Sequence, residues 1–420
     1  MIKKIISLFV CCLIALNVSA CTSYSNSNPY DEQQITITYS WWGGEDRHDK
    51  TVEALEEFQK IYPNIKVKVE FGEWTGFKKK MNMKIAGNDE PDLMQINYDW
   101  LESYSKDGSG FYDLNKVSSQ LNLSNFSNDV LKYGTRNGIL NAIPISMNSK
   151  ILLYNKALMD KYNITDFKTW DSLLSNTSKI SDNNTYLLEL DKTNSWILPM
   201  AYIQEKNGRD FITDEVNLGF TQDDIKELLT FYKQLLDNKI LCPLNEVKDY
   251  NLSDNISVGL VTWVSDSSKT EKALSENNTE AYVSELPSST GENSLTYVKP
   301  SMLYAISKNT DHPEEAALLM NFLLNNSDAA KIQGLDRGIP SSNSALNALK
   351  EDNQLNGLQY EGVQKNSNVK NILISPYYEN TLIQNICIDA LTEVSFSTSS
   401  IDDIASKTYT NLEKTLDTIK

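Results

Sequence analysis

Histidine is nearly missing: the 420 residues hold 2, at positions 48 and 312. A metal site of imidazoles, or a hydrolase relayed by one, would have to draw on these two. Basic charge is also short. Lys and Arg number 39 against 56 Asp and Glu, so the chain carries −17 at neutral pH. A surface of that sign repels phosphate backbones and argues against general nucleic-acid binding. With 17 Gly and 11 Pro the chain is not collagen-like or of low complexity. No G-x-x-x-x-G-K-[ST], G-x-S-x-G, H-E-x-x-H, C-x-x-C or G-x-G-x-x-G occurs. The common phosphate-cradling, serine-nucleophile, zinc, redox and dinucleotide signatures are therefore absent. No repeat of solenoid or propeller length is present. What the chain does have is 40% apolar and 10% aromatic residues, enough for a large core, and a length that suits two α/β lobes.

The N-terminus reads as an export signal. Lys3 and Lys4 precede an apolar stretch from Ile5 to Leu16, broken by Ser7. At about 12 residues it is short of the ~20 that span a bilayer, so it fits a signal-peptide core. Leu16-Asn17-Val18-Ser19-Ala20-Cys21 resembles the bacterial lipobox. That resemblance implies cleavage before Cys21 and acyl chains on it, and two chains anchor stably. Residues 1–20 are thus expected as a lipoprotein signal peptide. Residues 21–34, rich in Ser and Asn, are expected as a flexible tether reaching roughly 20 Å. Cys11 and Cys12 leave with the signal. Cys242 and Cys387 remain, either as a disulfide or as two buried thiols, with no spacing that suggests a framework.

Further on, Ile35 to Tyr39 alternates as a strand, Asp49 to Tyr62 carries Val52, Leu55, Phe58 and Tyr62 at helical spacing, and Ile65 to Phe71 alternates again. Strand–helix–strand at this spacing predicts a parallel pair. Leu93–Ile96, Leu140–Pro144, Ile151–Tyr154, Val258–Val261 and Tyr304–Ile306 read as further strands. Asp223–Leu236, Pro313–Leu324 and the stretch from Ile401 read as helices, and Trp170 sits in a helix-start pattern.

The most unusual run is Trp41-Trp42-Gly43-Gly44-Glu45-Asp46-Arg47-His48, at the C-terminal end of the first strand. Open α/β sheets bind ligands there. Indoles stack on the C–H face of a pyranose, and carboxylate or guanidinium groups bond its vicinal hydroxyls. The plainer reading is core tryptophans, a glycine turn, and Glu45 and Asp46 as helix N-terminal charges. Trp74, Trp100 and Trp263 also sit beside strand-like runs, whereas Trp170 reads as packing.

These residues resemble extracellular solute-binding protein family 1: the carbohydrate-binding, maltose-binding-protein-like lipoproteins of bacterial ABC transporters. Five stretches carry the likeness: Trp41–Gly44, Pro91–Ile96, Ile143-Pro144 with Leu152–Lys156, Lys308–Leu323, and Gly338–Ser342. The resemblance implies a type II periplasmic-binding-protein fold, with two α/β lobes closing on ligand about a hinge. Residues 35–146 and 298–345 would form lobe 1, and 147–297 and 346–420 lobe 2. Hinge crossings would lie near Pro144–Met147, Tyr297–Ser301 and Ser341–Leu346.

By matched position, lobe 1 would offer Trp41, Trp42, Glu45, Asp46, Arg47 and Asp99 with Tyr98 or Trp100, and Trp74 joins the candidates from its place after a strand-like run. Lobe 2 would offer Trp196, Trp263 and Tyr377 or Tyr378, and Asn148 would sit near the first crossing, where a carboxylate is familiar in the family. The function implied is an extracytoplasmic receptor, lipid-anchored through Cys21 to the outer face of the cytoplasmic membrane. It would deliver a mono- or oligosaccharide to the permease subunits of an ABC importer. It would act as a monomer, without cofactor, metal or catalysis. The rivals are a secreted glycan hydrolase and a sugar-sensing co-receptor. A hydrolase needs two carboxyls flanking the scissile bond, and Glu45 and Asp46 are adjacent in sequence.

Overall fold

β1 (Ile35–Trp42) turns Ile37, Tyr39 and Trp41 to one face, and all three are fully buried. It sits in a computed structural model that describes residues 34–181, 184–247, 252–292 and 294–419. The signal peptide, the lipobox with Cys21 and all of the tether except Gln34 lie outside the described residues. The chain continues through α1 (Glu45–Ile61), β2 (Ile65–Gly72), α2 (Trp74–Ala86), β3 (Leu93–Ile96), α3 (Asp99–Tyr104), α4 (Asn128–Tyr133), β4 (Thr135–Arg136) and β5 (Ile139–Leu140). Next come β6 (Ala142–Asn155), α5 (Lys156–Lys161), α6 (Trp170–Ser175), β7 (Tyr186–Glu189), α7 (Asn194–Asn207), α8 (Gln222–Asp237), β8 (Ser257–Trp263), α9 (Ser267–Glu276) and β9 (Ala281–Ser284). The last stretch is β10 (Leu295–Ile306), α10 (Pro313–Asn325), α11 (Ser327–Gln333), α12 (Asn343–Glu351), α13 (Gly357–Lys365), β11 (Lys370–Leu373), α14 (Thr381–Phe396) and α15 (Ile401–Ile419).

α1 begins a turn earlier than the apolar spacing suggests, because Gly44 caps it in extended backbone and Glu45 and Asp46 suit a helix N-terminus. β1 pairs parallel with β2 on one side and β3 on the other, and the order across the sheet is β2-β1-β3-β10-β6-β8-β7. Thr169 and Ser172 form a capping box at the start of α6. Among the described residues no helix is long and apolar enough to cross a membrane.

Two hydrophobic cores divide the body. The first gathers β1, α1, β3 and α10 with Ala142–Ile145 of β6 and Met302–Ile306 of β10. The second gathers α7, α8, α14 and α15 with Leu152 and Tyr154 of β6 and Leu295 and Tyr297 of β10. β6 thus serves both lobes. Its 14 residues extend roughly 45 Å at ~3.3 Å each, joining the two strand segments read separately from the sequence. In the second lobe its opposite face, Ile151 and Leu153, packs with Leu358 of α13 and Leu274 of α9.

β6 and β10 pair antiparallel from Ala142↔Ala305 to Ser149↔Val298, with an irregularity at Pro300–Leu303, where Pro300 has no N–H to give the ladder. The Ser146 and Ser301 hydroxyls meet there, and the Ser146 hydroxyl also donates to the Arg337 carbonyl. Ser341 N–H donates to Ile145 O at 2.9 Å. Gly338, at φ +96°, would place a Cβ 2.5 Å from Ser146 Oγ, so only glycine fits this meeting of three segments.

The third passage lies later than 345/346. α12 packs on α10 and α11 of the first lobe, and Ser342 Oγ donates to Asn325 Oδ1 at 2.6 Å. α13, by contrast, packs on α9 and β9. A boundary at residue 346 falls inside α12, whose alanine face binds the helix to its predecessor through Ala330, Ala345 and Ala348.

Candidate functional site

The end of β1 carries two tryptophans into different settings. Trp41 continues the inward alternation of Ile37 and Tyr39. It is stacked against Tyr39 (4.7 Å), His48 (5.7 Å) and Phe71 (5.8 Å), with no exposed surface. Trp42 faces the other way, against Trp74 at 5.0 Å, Phe77 at 5.7 Å and Trp100 at 6.1 Å. Trp74 is the exposed edge of that cluster, at 44%. It opens α2, which kinks immediately afterwards through Gly76 at φ +88°.

Three of the expected cleft tryptophans are therefore core residues. Trp41 and Trp100 lie wholly inside the first core and Trp196 inside the second, where it meets Phe211 at 5.7 Å. They have no surface to give a ligand. Glu45 and Asp46 are exposed in the first turn of α1, the plainer of their two readings. Arg47 is spent on the fold: Nε and Nη2 donate to Asp336 Oδ2 (2.6 Å) and O (2.7 Å), and Nη1 to Trp42 O (3.2 Å). Asn148 is likewise occupied, donating to Ser265 Oγ at 2.8 Å and accepting from Ser265 N–H at 3.1 Å.

Of the remaining expected residues, Asp99, Tyr377 and Trp263 lie in or beside the contacts between the two lobes. On the first lobe, Asp99 opens α3 and is bound by Lys78 Nζ (2.6 Å) and Asn97 Nδ2 (2.7 Å). Beside it, Arg136 pairs with Glu102 at 2.6 Å and lies 5.4 Å above the ring of buried Tyr98, whose hydroxyl burial pushes upward. On the second lobe a short turn at 376–379 supplies Tyr377, Tyr378 and Glu379. Tyr377 donates across the seam to Glu102 Oε2 at 3.2 Å, and desolvation pushes its phenol up to about 12. Tyr378 is fully inside and bonds Thr193 O.

Trp263, at the end of β8, is part-buried. Lys150 Nζ lies 3.8 Å and Lys299 Nζ 4.8 Å from its ring centroid. Lys299 pairs with Glu379 Oε1, and Glu379 Oε2 accepts from Asn97 Nδ2 of the opposite lobe at 3.1 Å. Lys150 donates to Asn194 Oδ1 at 2.5 Å.

A continuous polar line thus runs Lys78–Asp99–Asn97–Glu379–Lys299, with the Trp263 indole beside Lys299. Its chemistry is that of a binding surface: charged donors and acceptors set beside flat apolar rings. Lys78, Asn97, Lys150, Lys299 and Glu379 were not anticipated. A lysine directly before the apolar Ile151–Tyr154 run was the one signal in plain view. A small cavity of about 20 Å³ lies elsewhere, inside the second lobe between Gln204, Tyr297 and Tyr378, with room for about one water.

The family model for bacterial extracellular solute-binding protein matches residues 53–356. An uncharacterised ABC transporter extracellular-binding protein of Pyrococcus horikoshii is 23% identical over 256 residues, 56% of this chain and 57% of that one. The melibiose/raffinose/stachyose-binding protein MelE of Bacillus subtilis is 25% identical over 41% of this chain and 39% of its own. The matches thus span about half the length of these curated relatives or less. Among solved structures, a periplasmic oligogalacturonide binding protein from Yersinia enterocolitica, in complex with saturated digalacturonic acid, is 29% identical with a TM-score of 0.82. That likeness covers 92% of this chain and 99% of the other.

Proposed function

Since the chain belongs to the bacterial extracellular solute-binding protein family, we propose that it is a receptor holding an oligosaccharide between its two lobes. The observation that carries this is the seam itself: Asn97, which also holds Asp99, donates from one lobe to Glu379 of the other, and Lys299 joins Glu379 to the ring of Trp263. A site split between lobes that share β6 and β10 binds by closing on its ligand. Indole faces would take the sugar's C–H surface and the charged rim its hydroxyls. The sugar ligands named for the relatives from Bacillus subtilis and Yersinia enterocolitica support the same class. Of the residues expected from sequence, Trp74, Asp99, Trp263 and Tyr377 stay in the proposed site, whereas Trp42 and Tyr98 are buried in the first core. Lobe 1 is taken as residues 35–146 with 298 to the end of α12, and lobe 2 as the rest.

The finer reading follows from the N-terminal sequence. The protein would be tethered through lipidated Cys21 to the outer face of the cytoplasmic membrane and pass its sugar to an ABC permease. It would act as a monomer, making and breaking no bond. A thermal-shift panel of neutral and acidic oligosaccharides tests the receptor role. A ligand at 100 times its Kd adds about 2.7 kcal/mol of stability. Saturable binding with the sugar recovered intact supports a receptor, whereas turnover of the sugar makes the protein an enzyme. Cys21→Ser should move it from the membrane to the soluble fraction.

A further inference from the structure

The seam contains a clamp already closed on a carboxylate. Glu379, on the second lobe, is gripped by two donors, Lys299 through Oε1 and Asn97 through Oε2. Behind it lies a second ammonium. Lys150 is 1% exposed, and among the described residues no carboxylate touches it. Its contacts are Asn194 Oδ1 and the Trp263 ring, while Asp191, Asp266 and Glu379 attract it only at longer range and Lys299 repels it. Burial pushes its ammonium down to about 7. A buried cation without a touching anion costs stability, so replacing such a lysine by an apolar residue often helps a fold. Its presence here is accounted for if a partner anion arrives with the ligand.

A neutral sugar reaching this place would have to pull Glu379 from Lys299 and leave both charges to hydroxyls. A ligand carboxylate replaces Glu379 one for one, keeping Lys299 and Asn97 bonded and bringing a negative charge toward Lys150.

Resting on the oligosaccharide-receptor reading, we propose that the ligand is acidic: a uronate-bearing saccharide. Its carboxylate takes the place of Glu379 between Lys299 and Asn97, and its ring stacks at Trp263. Lys299 is the specificity-determining residue, and Glu379 is an internal stand-in that must swing aside.

Calorimetric titration of the purified protein with digalacturonate and with neutral raffinose tests this. Digalacturonate should bind, and raffinose should bind at least about tenfold more weakly. Lys299→Gln should cost digalacturonate about 10- to 100-fold in affinity, as expected for a lost charged hydrogen bond. Lys299→Arg should retain most of it, which separates charge from simple disruption of the fold. Glu379→Gln should raise digalacturonate affinity, because the competing carboxylate is gone. Raffinose binding as tightly as digalacturonate, or Glu379→Gln weakening both sugars alike, overturns the acidic ligand and leaves the receptor reading standing. If neither saccharide binds, both readings fail.

Discussion

Asn97 of the first lobe donates to Glu379 of the second across 3.1 Å, joining residues that lie 282 positions apart in the chain. Beside it, Tyr377 donates to Glu102 at 3.2 Å, a further direct hydrogen bond across the seam. Each is worth about 0.5–1.5 kcal/mol net. Small-angle scattering of Asn97→Ala combined with Tyr377→Phe, without sugar, should show a larger radius of gyration than the parent. An unchanged radius would mean that these bonds do not hold the lobes together.

Trp41 and Trp74 should part company under mutation. Trp41→Ala removes a fully buried indole and should cost about 3–5 kcal/mol in urea melts without ligand. Trp74→Ala, at an exposed cluster edge, should cost under about 1 kcal/mol while reducing the thermal shift given by a bound saccharide. A stable Trp41→Ala protein that has lost sugar binding would return Trp41 to the site.

Trp263→Ala should weaken sugar binding by at least about tenfold, since it removes the stacking face shared by Lys150 and Lys299. The melting point without ligand should fall only modestly, because the ring is part-exposed. Equal binding by this variant would remove Trp263 from the site.

Lys150 gives stability a pH dependence of known sign. Its folded pKa is lowered to about 7, against 10.5 for an ordinary lysine. Between those values the unfolded chain binds the proton and the folded one does not, so this group makes stability rise with pH across that window. Below pH 7 the folded protein carries the whole penalty. Lys150→Met should therefore be more stable than the parent at pH 6, by roughly 1–4 kcal/mol, and the gap should shrink by pH 9. The facing groups, Asn194, Trp263, Lys299, Asp191, Asp266 and Glu379, are the same in both proteins. A gap that widens from pH 6 to 9 contradicts the assignment.

Cys242 and Cys387 are free and buried, and burial pushes Cys242 up to about 12 and Cys387 well above its usual range. Neither is a ready thiolate. Native protein should resist iodoacetamide at pH 8, whereas urea-unfolded protein should take it up at both positions, as peptide mass mapping would show.

Local pattern made the strands and helices legible, and it also held the answer for Trp41. Extending the alternation of Ile37 and Tyr39 by one more step puts Trp41 on the buried face. Ending the strand at Tyr39 hid that. Arg47 was different: its acceptor, Asp336, is 289 residues away, and nothing near Arg47 announces that its fork is already filled. The same holds for Glu379 and Lys299, which meet only because the turn at 376–379 folds over β10. Composition drew attention to aromatic residues, but tertiary pairing decides which of them still faces the seam. Asn148 follows the same logic, since its amide holds the Ser265 turn in place.

The long ladder of β6 with β10 has a thermodynamic consequence. Strands that belong to both cores cannot fray in one half without unzipping in the other. Heat should therefore melt Ile35–Lys420 in one calorimetric peak, with van't Hoff and calorimetric enthalpies in agreement, rather than half by half.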